Sequence, residues 1–169
     1  GNQVRLFIPR SAGMDPAVLK AAVVVGRVTV RDHEEGNVEF RILETRIKEL
    51  PIYILDQPRW FNNRNPYGDD SGPYLDNWRR YAHFSRAFLE ALGVIGFAPS
   101  VIHCMDWTTG MIPVIHELEY LDRDGDHAAK NAGTWFSIHN LAMQGVFERD
   151  VLPAMGLPHS VFKEVDGVA

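Results

Sequence analysis

The chain has 169 residues, 46% of them hydrophobic and 23% charged, which suits one compact domain able to bury a real core. A formal charge of −5, from 22 acids and 17 bases without a basic block, argues against nucleic acid, because phosphate neutralisation needs clustered Lys and Arg. The lone cysteine, Cys104, allows no intrachain disulfide. No apolar run nears the ~20 residues of a membrane span and no secretory leader opens the sequence, so a cytoplasmic location is the expectation.

"VRLFIP" (Val4 to Pro9) is a short apolar run closed by proline and reads as a buried strand. Between Arg27 and Pro58, "RVTVRD", "NVEFRILETRI" and "LPIYILDQP" are rich in Val and Ile and are punctuated by Gly36-Asn37 and Pro51. They predict two or three strands, the first pair a hairpin with one wet face. Pro58 to Tyr74 is dense in Asn, Asp, Gly and Pro and predicts a long loop whose Trp60, Phe61, Tyr67 and Tyr74 hang beside a binding rim. The surest helix follows, with Trp78, Tyr81, Ala82, Ser85, Phe88, Leu89 and Leu92 on one apolar stripe. Asp76 or Asn77 is its expected cap, and Gly93 or Gly96 its expected close.

"SVIHCMD" shows little alternation and predicts a parallel strand covered on both faces. A helix over 108–120, a polar turn "LDRDGD" and a strand "GTWFSIHN" come next. The fold class is therefore α/β, with a mostly parallel, Rossmann-like sheet and flanking helices in a single domain over residues 1–169.

Ligands of an open parallel sheet bind beyond the carboxyl ends of its strands. Here those ends deliver Asp56 and Gln57, then Asp106, Trp107 and Thr108, then His139 and Asn140 with Gln144 shortly after. Carboxylates, amides and indoles on one rim suit a sugar, although any single Asn or Asp after a strand is as readily a helix cap. Other motifs carry less. Asp122, Asp124 and Asp126 have calcium-loop spacing, but Gly133 stands where the closing glutamate belongs. His103, His116, His127 and His139 lack zinc-ligand spacing. His103 is expected to be a satisfied core residue and Cys104 a small buried hydrophobe. No nucleotide-phosphate loop occurs, and neither metal nor cofactor is expected.

The blocks "GNQVRLFIPR", "YLDNWRRYAHFSRAFLEAL", "GFAPSVIHCMDWTTGMIPV" and "TWFSIHNLAMQGVF" resemble, in order, the N-terminal domain of bacterial glycogen synthases and plant starch synthases, glycosyltransferase family five. The resemblance implies the incomplete N-terminal half of a GT-B fold. The activity it implies is retaining, metal-independent transfer of glucose from ADP-glucose (or UDP-glucose) to the non-reducing end of an α-1,4-glucan. By position, Asp106, Thr108 and His139 fall on the family's catalytic signatures. Tyr74, Asp76, Asn77, Trp107, Asn140 and Gln144 fall on its substrate-binding ones. The donor side belongs to a C-terminal domain, and the family's "KTGGL" loop is absent from the sequence, so these residues are expected to supply the acceptor side and to be inactive alone. Met105 stands where the family has its first His, and Thr108 where it has His or Gln. Thr108 is shorter and leaves the transferred sugar's hydroxyl to water, or it caps the next helix. Those two departures motivate the alternative of a diverged, non-catalytic glucan-binding or regulatory module.

Overall fold

A computed structural model describes residues 1–121 and 125–162. The first half is a four-stranded sheet built from β1 (Leu6–Pro9), β2 (Val23–Asp32), β3 (Gly36–Ile47) and β4 (Leu50–Asp56), with a short helix α1 (Pro16–Ala21) after β1. Its order is β1-β4-β3-β2, with β1 parallel to β4 and the other pairs antiparallel. Alternation sets which face is wet. Val28, Val30, Val38, Phe40 and Ile42 are buried, whereas Arg27 and Glu39 pair across the exposed face at 2.5 Å. Strand β2 approaches the end of the long helix at Gly26, where a Cβ would collide with Val94.

The segment expected as a plain loop is more structured. A π-helical turn, Pro58–Asn62, is capped by Gln57, whose side chain accepts from Trp60 N at 3.0 Å. Two short strands, β5 (Gly68–Asp69) and β6 (Gly72–Pro73), follow. Trp60 and Phe61 do not hang beside the rim, because both are buried in the core.

Helix α2 (Asn77–Val94) matches its prediction, and Gly96 at φ +63° closes it. Phe97 N donates to Leu92 O and Gly96 N to Gly93 O, a left-handed close that glycine takes without Cβ strain. The single apolar stripe is an underestimate, since every residue from Arg80 to Leu89 is buried. Nor does the Asp76 side chain cap the helix. It pairs instead with both Arg64 terminal nitrogens at 2.6 Å.

The last elements are β7 (Val101–Met105), a 3-10 turn Trp107–Thr109, α3 (Met111–Glu119), β8 (Gly133–Ser137), α4 (Val151–Ala154) and a 3-10 turn His159–Val161. Strands β7 and β8 form a separate parallel pair. Burial along β7 alternates strictly, with Ile102 and Cys104 inside and Val101, His103 and Met105 exposed. The expected cover on both faces is thus corrected: the core reaches only one side. His103 accordingly is no core residue but an exposed partner of Ser137 Oγ at 2.8 Å. Cys104 is buried, and burial pushes its thiol up to about 11. Of the calcium-spaced acids, Asp122 and Asp124 lie outside the described residues. Among the described residues no group of three or more His, Cys, Asp or Glu could hold a metal, and no helix is long and apolar enough to cross a membrane.

The β2–β3 turn is locked to α2 by a buried polar knot. Asp32 accepts from Glu34 N and Glu35 N, from Arg79 Nε at 2.7 Å, and lies 2.7 Å from His83 Nε2. Burial opposes Asp32's ionisation, but Arg79 and the two backbone donors outweigh it and hold the carboxyl well below the usual range. Burial pushes His83 below its ordinary value despite Asp32, whose charge Arg79 already neutralises. In both groups the unfolded chain binds protons more readily than the folded one, so stability rises with pH through each window. Unfolding free energy should therefore fall on acidification below the ordinary histidine value of ~6.5 and again below ~3.9. Urea titrations at pH 7 and pH 5 check the first step, which His83→Gln should abolish.

Candidate functional site

Strand β8 ends at Ser137 because the next stretch turns onto Asp106. Asp106 N donates to Ser137 O at 2.9 Å, tying the two strand ends together. Its carboxylate then accepts from His139 N at 2.6 Å and from Asn140 N at 3.4 Å, and meets His139 Nδ1 at 3.3 Å. The His139 amide is the main reason its pKa is lowered. Asp106 adopts φ 57° and ψ 177°, a backbone region costly for a residue with a Cβ. That conformation aims its carboxylate at the 139–140 turn. Thr109 Oγ1 braces the same corner, donating to Met105 O at 2.8 Å and Asp106 O at 3.0 Å.

Beside this pair lies a hollow of about 330 Å³, lined by Asn77, Trp78, Tyr81, Trp107, Gln144 and Phe147 among others. Trp107 sits in an aromatic nest, 5.1 Å from the Tyr81 ring, 5.9 Å from Phe147 and 6.0 Å from Tyr67. Burial pushes the Tyr81 phenol up to about 12, so it stays a neutral donor, here to Pro66 O at 2.5 Å. The chain passes close over the Trp107 indole at Gly145, where φ is +61° and a Cβ would come within 2.3 Å of the ring. Gly145→Ala should therefore displace the indole or the turn. We expect the Trp107 emission maximum to shift and the protein to lose about 1–3 kcal/mol, as for other strained or overpacked sites; fluorescence-monitored urea unfolding measures both.

The predicted residues do not all meet in one place. Asp106, His139 and Asn140 meet in one hydrogen-bonded corner, while Asn77, Trp107 and Gln144 line the adjoining hollow. Tyr74 and Asp76 belong to a neighbouring arginine cluster instead: Asp76 pairs with Arg64, whose guanidinium lies 4.1 Å from the Tyr74 ring centre. Thr108 faces a different, larger cleft with β1. Asp56 is fully buried between Arg10 and Arg41, so it does not reach the rim, and Gln57 spends its side chain on the Trp60 amide. Both stand apart because β4 and β7 belong to separate sheets. Asn140 caps its own turn through Ala142 N at 3.1 Å. The hollow also uses Trp78, Tyr81 and Gly145. Helical spacing had marked the first two only as core; nothing local in the sequence marks Gly145.

A family model described as the starch synthase catalytic domain matches residues 1–169. The chain belongs to this family. A glycogen synthase of Geotalea daltonii is 35% identical over 163 residues, and glycogen synthase 2 of Geobacter sulfurreducens 39% identical over 164. Each alignment covers 96% of this chain and 33% of the relative, so the chain spans about a third of the length of those proteins. The catalytic domain of starch synthase IV from Arabidopsis thaliana, solved with ADP and acarbose bound, superposes with a TM-score of 0.74 at 24% identity. That match covers 95% of this chain and 31% of the plant chain. The likeness establishes the fold, in which the parallel pairs here form part of a GT-B glycosyltransferase domain.

Proposed function

We propose that these residues form the acceptor-side part of a retaining glucosyltransferase that moves glucose from ADP-glucose (or UDP-glucose) to the non-reducing end of an α-1,4-glucan. The observation that carries the reading is convergence. Asn77, Trp107 and Gln144, distant in sequence, line one hollow next to the Asp106–His139 pair. Aromatic edges and faces there suit the C–H side of a sugar ring. Asp106 engages Nδ1 of His139 and leaves the opposite ring nitrogen for a hydroxyl, and the His139 side chain is 60% exposed. Family membership supports the reaction class, and the ADP and acarbose of the plant structure are the matching ligand types.

Retaining transfer needs donor, acceptor and charge-stabilising groups held together in one geometry. The isolated 169 residues should therefore incorporate no glucose from ADP-glucose into glycogen, whereas a chain of the relatives' full length should. Calorimetry against maltooligosaccharides should still register binding to the isolated chain. Incorporation by the isolated chain would overturn its assignment as a partial site, and an absence of heat at millimolar sugar would overturn the acceptor hollow.

A further inference from the structure

Apart from its indoles, the hollow beside the Asp106–His139 corner is walled by Met111, Phe136, Ile138, Met143, Phe147 and Met155. Three separate segments bring the methionines together. Met111 opens α3, Met143 N donates to Asn140 O at 3.1 Å, and Met155 N donates to Val151 O at 3.0 Å just after α4. Thioethers on unbranched stems adapt to the shape of an apolar guest and make favourable contacts with aromatic rings. The polar side chains around them are turned onto the protein. Asn77 donates to Tyr67 O at 2.7 Å and accepts from Arg80 at 2.6 Å, Tyr81 donates to Pro66 O, and the Gln144 amide donates to Leu141 O at 2.8 Å. A sugar seated deep in the hollow would leave hydroxyls without partners, a cost that a flat aromatic ring does not carry.

We infer that the floor of this hollow is a subsite for an aromatic aglycone, so that a short aryl α-glucoside binds better than the same sugar without the aryl group. The inference rests on the proposed placement of the acceptor's non-reducing end at the Asp106–His139 corner. The hollow adjoins that corner, so a ring carried on the reducing end of a one- or two-unit acceptor falls over the methionines rather than in open solvent. Sugar then covers the mouth and the ring fills the floor. Space is sufficient, since the hollow is about 330 Å³ and an apolar cavity of about 150 Å³ already takes benzene. Met143 is 47% exposed whereas Met155 is 5% exposed, so the thioethers run from the entrance of the hollow to its base. Trp107, Phe136 and Phe147 supply ring faces and edges beside them.

Calorimetry on the 169-residue chain compares 4-nitrophenyl α-maltoside with methyl α-maltoside, which differ only in the aglycone. The nitrophenyl glycoside should bind at least about tenfold more tightly, the gain expected from burying one aromatic ring. NMR of methyl-labelled methionine then locates that ring, which shifts the signals of the methyl groups it covers. Of the five methionines, Met111, Met143 and Met155 line the hollow, Met105 lines the cleft along β1, and Met14 belongs to neither. The signals of the first three should move while those of Met14 and Met105 stay. Equal affinities for the two glycosides would overturn the aryl subsite and leave the glucan reading standing. Movement of Met105 alone would put the ring in the other cleft and overturn the subsite as well. Nitrophenyl binding that moves the three methionines, with no heat from methyl α-maltoside, would support the subsite and count against the glucan reading.

Discussion

Arg80→Met should be the most damaging single substitution in the molecule, costing at least about 3 kcal/mol, because several buried oxygens lose their donor at about 1–3 kcal/mol each. Arg80 is fully buried, yet none of its hydrogen-bond partners is a carboxylate. Its guanidinium instead donates to Trp60 O at 2.8 Å, Asn77 Oδ1 at 2.6 Å, Asn65 O at 3.1 Å and Pro66 O at 3.2 Å. It also lies 5.0 Å from the ring centres of both Phe61 and Tyr74. Methionine fills a similar volume but strands those oxygens away from water. Lysine restores the charge without the fork and should recover only part of the loss. Because Arg80 ties residues 60–66 to α2, the variant should also release Tyr67 from Trp107. Urea unfolding gives the magnitude; a loss below about 1 kcal/mol would mean that water replaces the guanidinium.

Asp106→Ala should give the largest functional loss, at least about a hundredfold in kcat in a full-length chain, as when a preorganised polar group is removed from an active site. The structure locates the effect. Alanine deletes the acceptor for His139 N and Asn140 N and frees the imidazole. Asp106→Asn keeps one acceptor oxygen for the two backbone donors and should retain an intermediate rate. Steady-state assays of both variants decide the matter. Alanine matching the parent would remove Asp106 from the machinery, and asparagine as poor as alanine would show that the charge matters rather than the turn.

Local signals in the sequence were read well where local physics decides the outcome. The α2 stripe, the wet-faced β2–β3 hairpin and the Gly96 close all follow from periodicity and glycine chemistry. The meeting of strand ends at Asp106 and His139 was legible because each stood where an apolar run gives way to polar residues. Asp56 misled for the same reason. It too ends a strand, but Arg10 just after β1 and Arg41 of β3 enclose it, and no local pattern announces partners 46 and 15 residues away. Strand β7 looked doubly covered because Val101 and Met105 are as apolar as Ile102 and Cys104, although only the latter two reach the core. Trp60 and Phe61, read as loop residues, became core because the π-helical turn folds them inward.

The most direct measurement follows the four tryptophan indoles by NMR while a maltooligosaccharide is added. Trp107 and Trp78 line the hollow, Trp60 is buried in the core and Trp135 stands on the open face of β8. The account predicts that the Trp107 and Trp78 indole signals move together while those of Trp60 and Trp135 stay in place. Movement of Trp135 alone, or no movement at millimolar sugar, would contradict it.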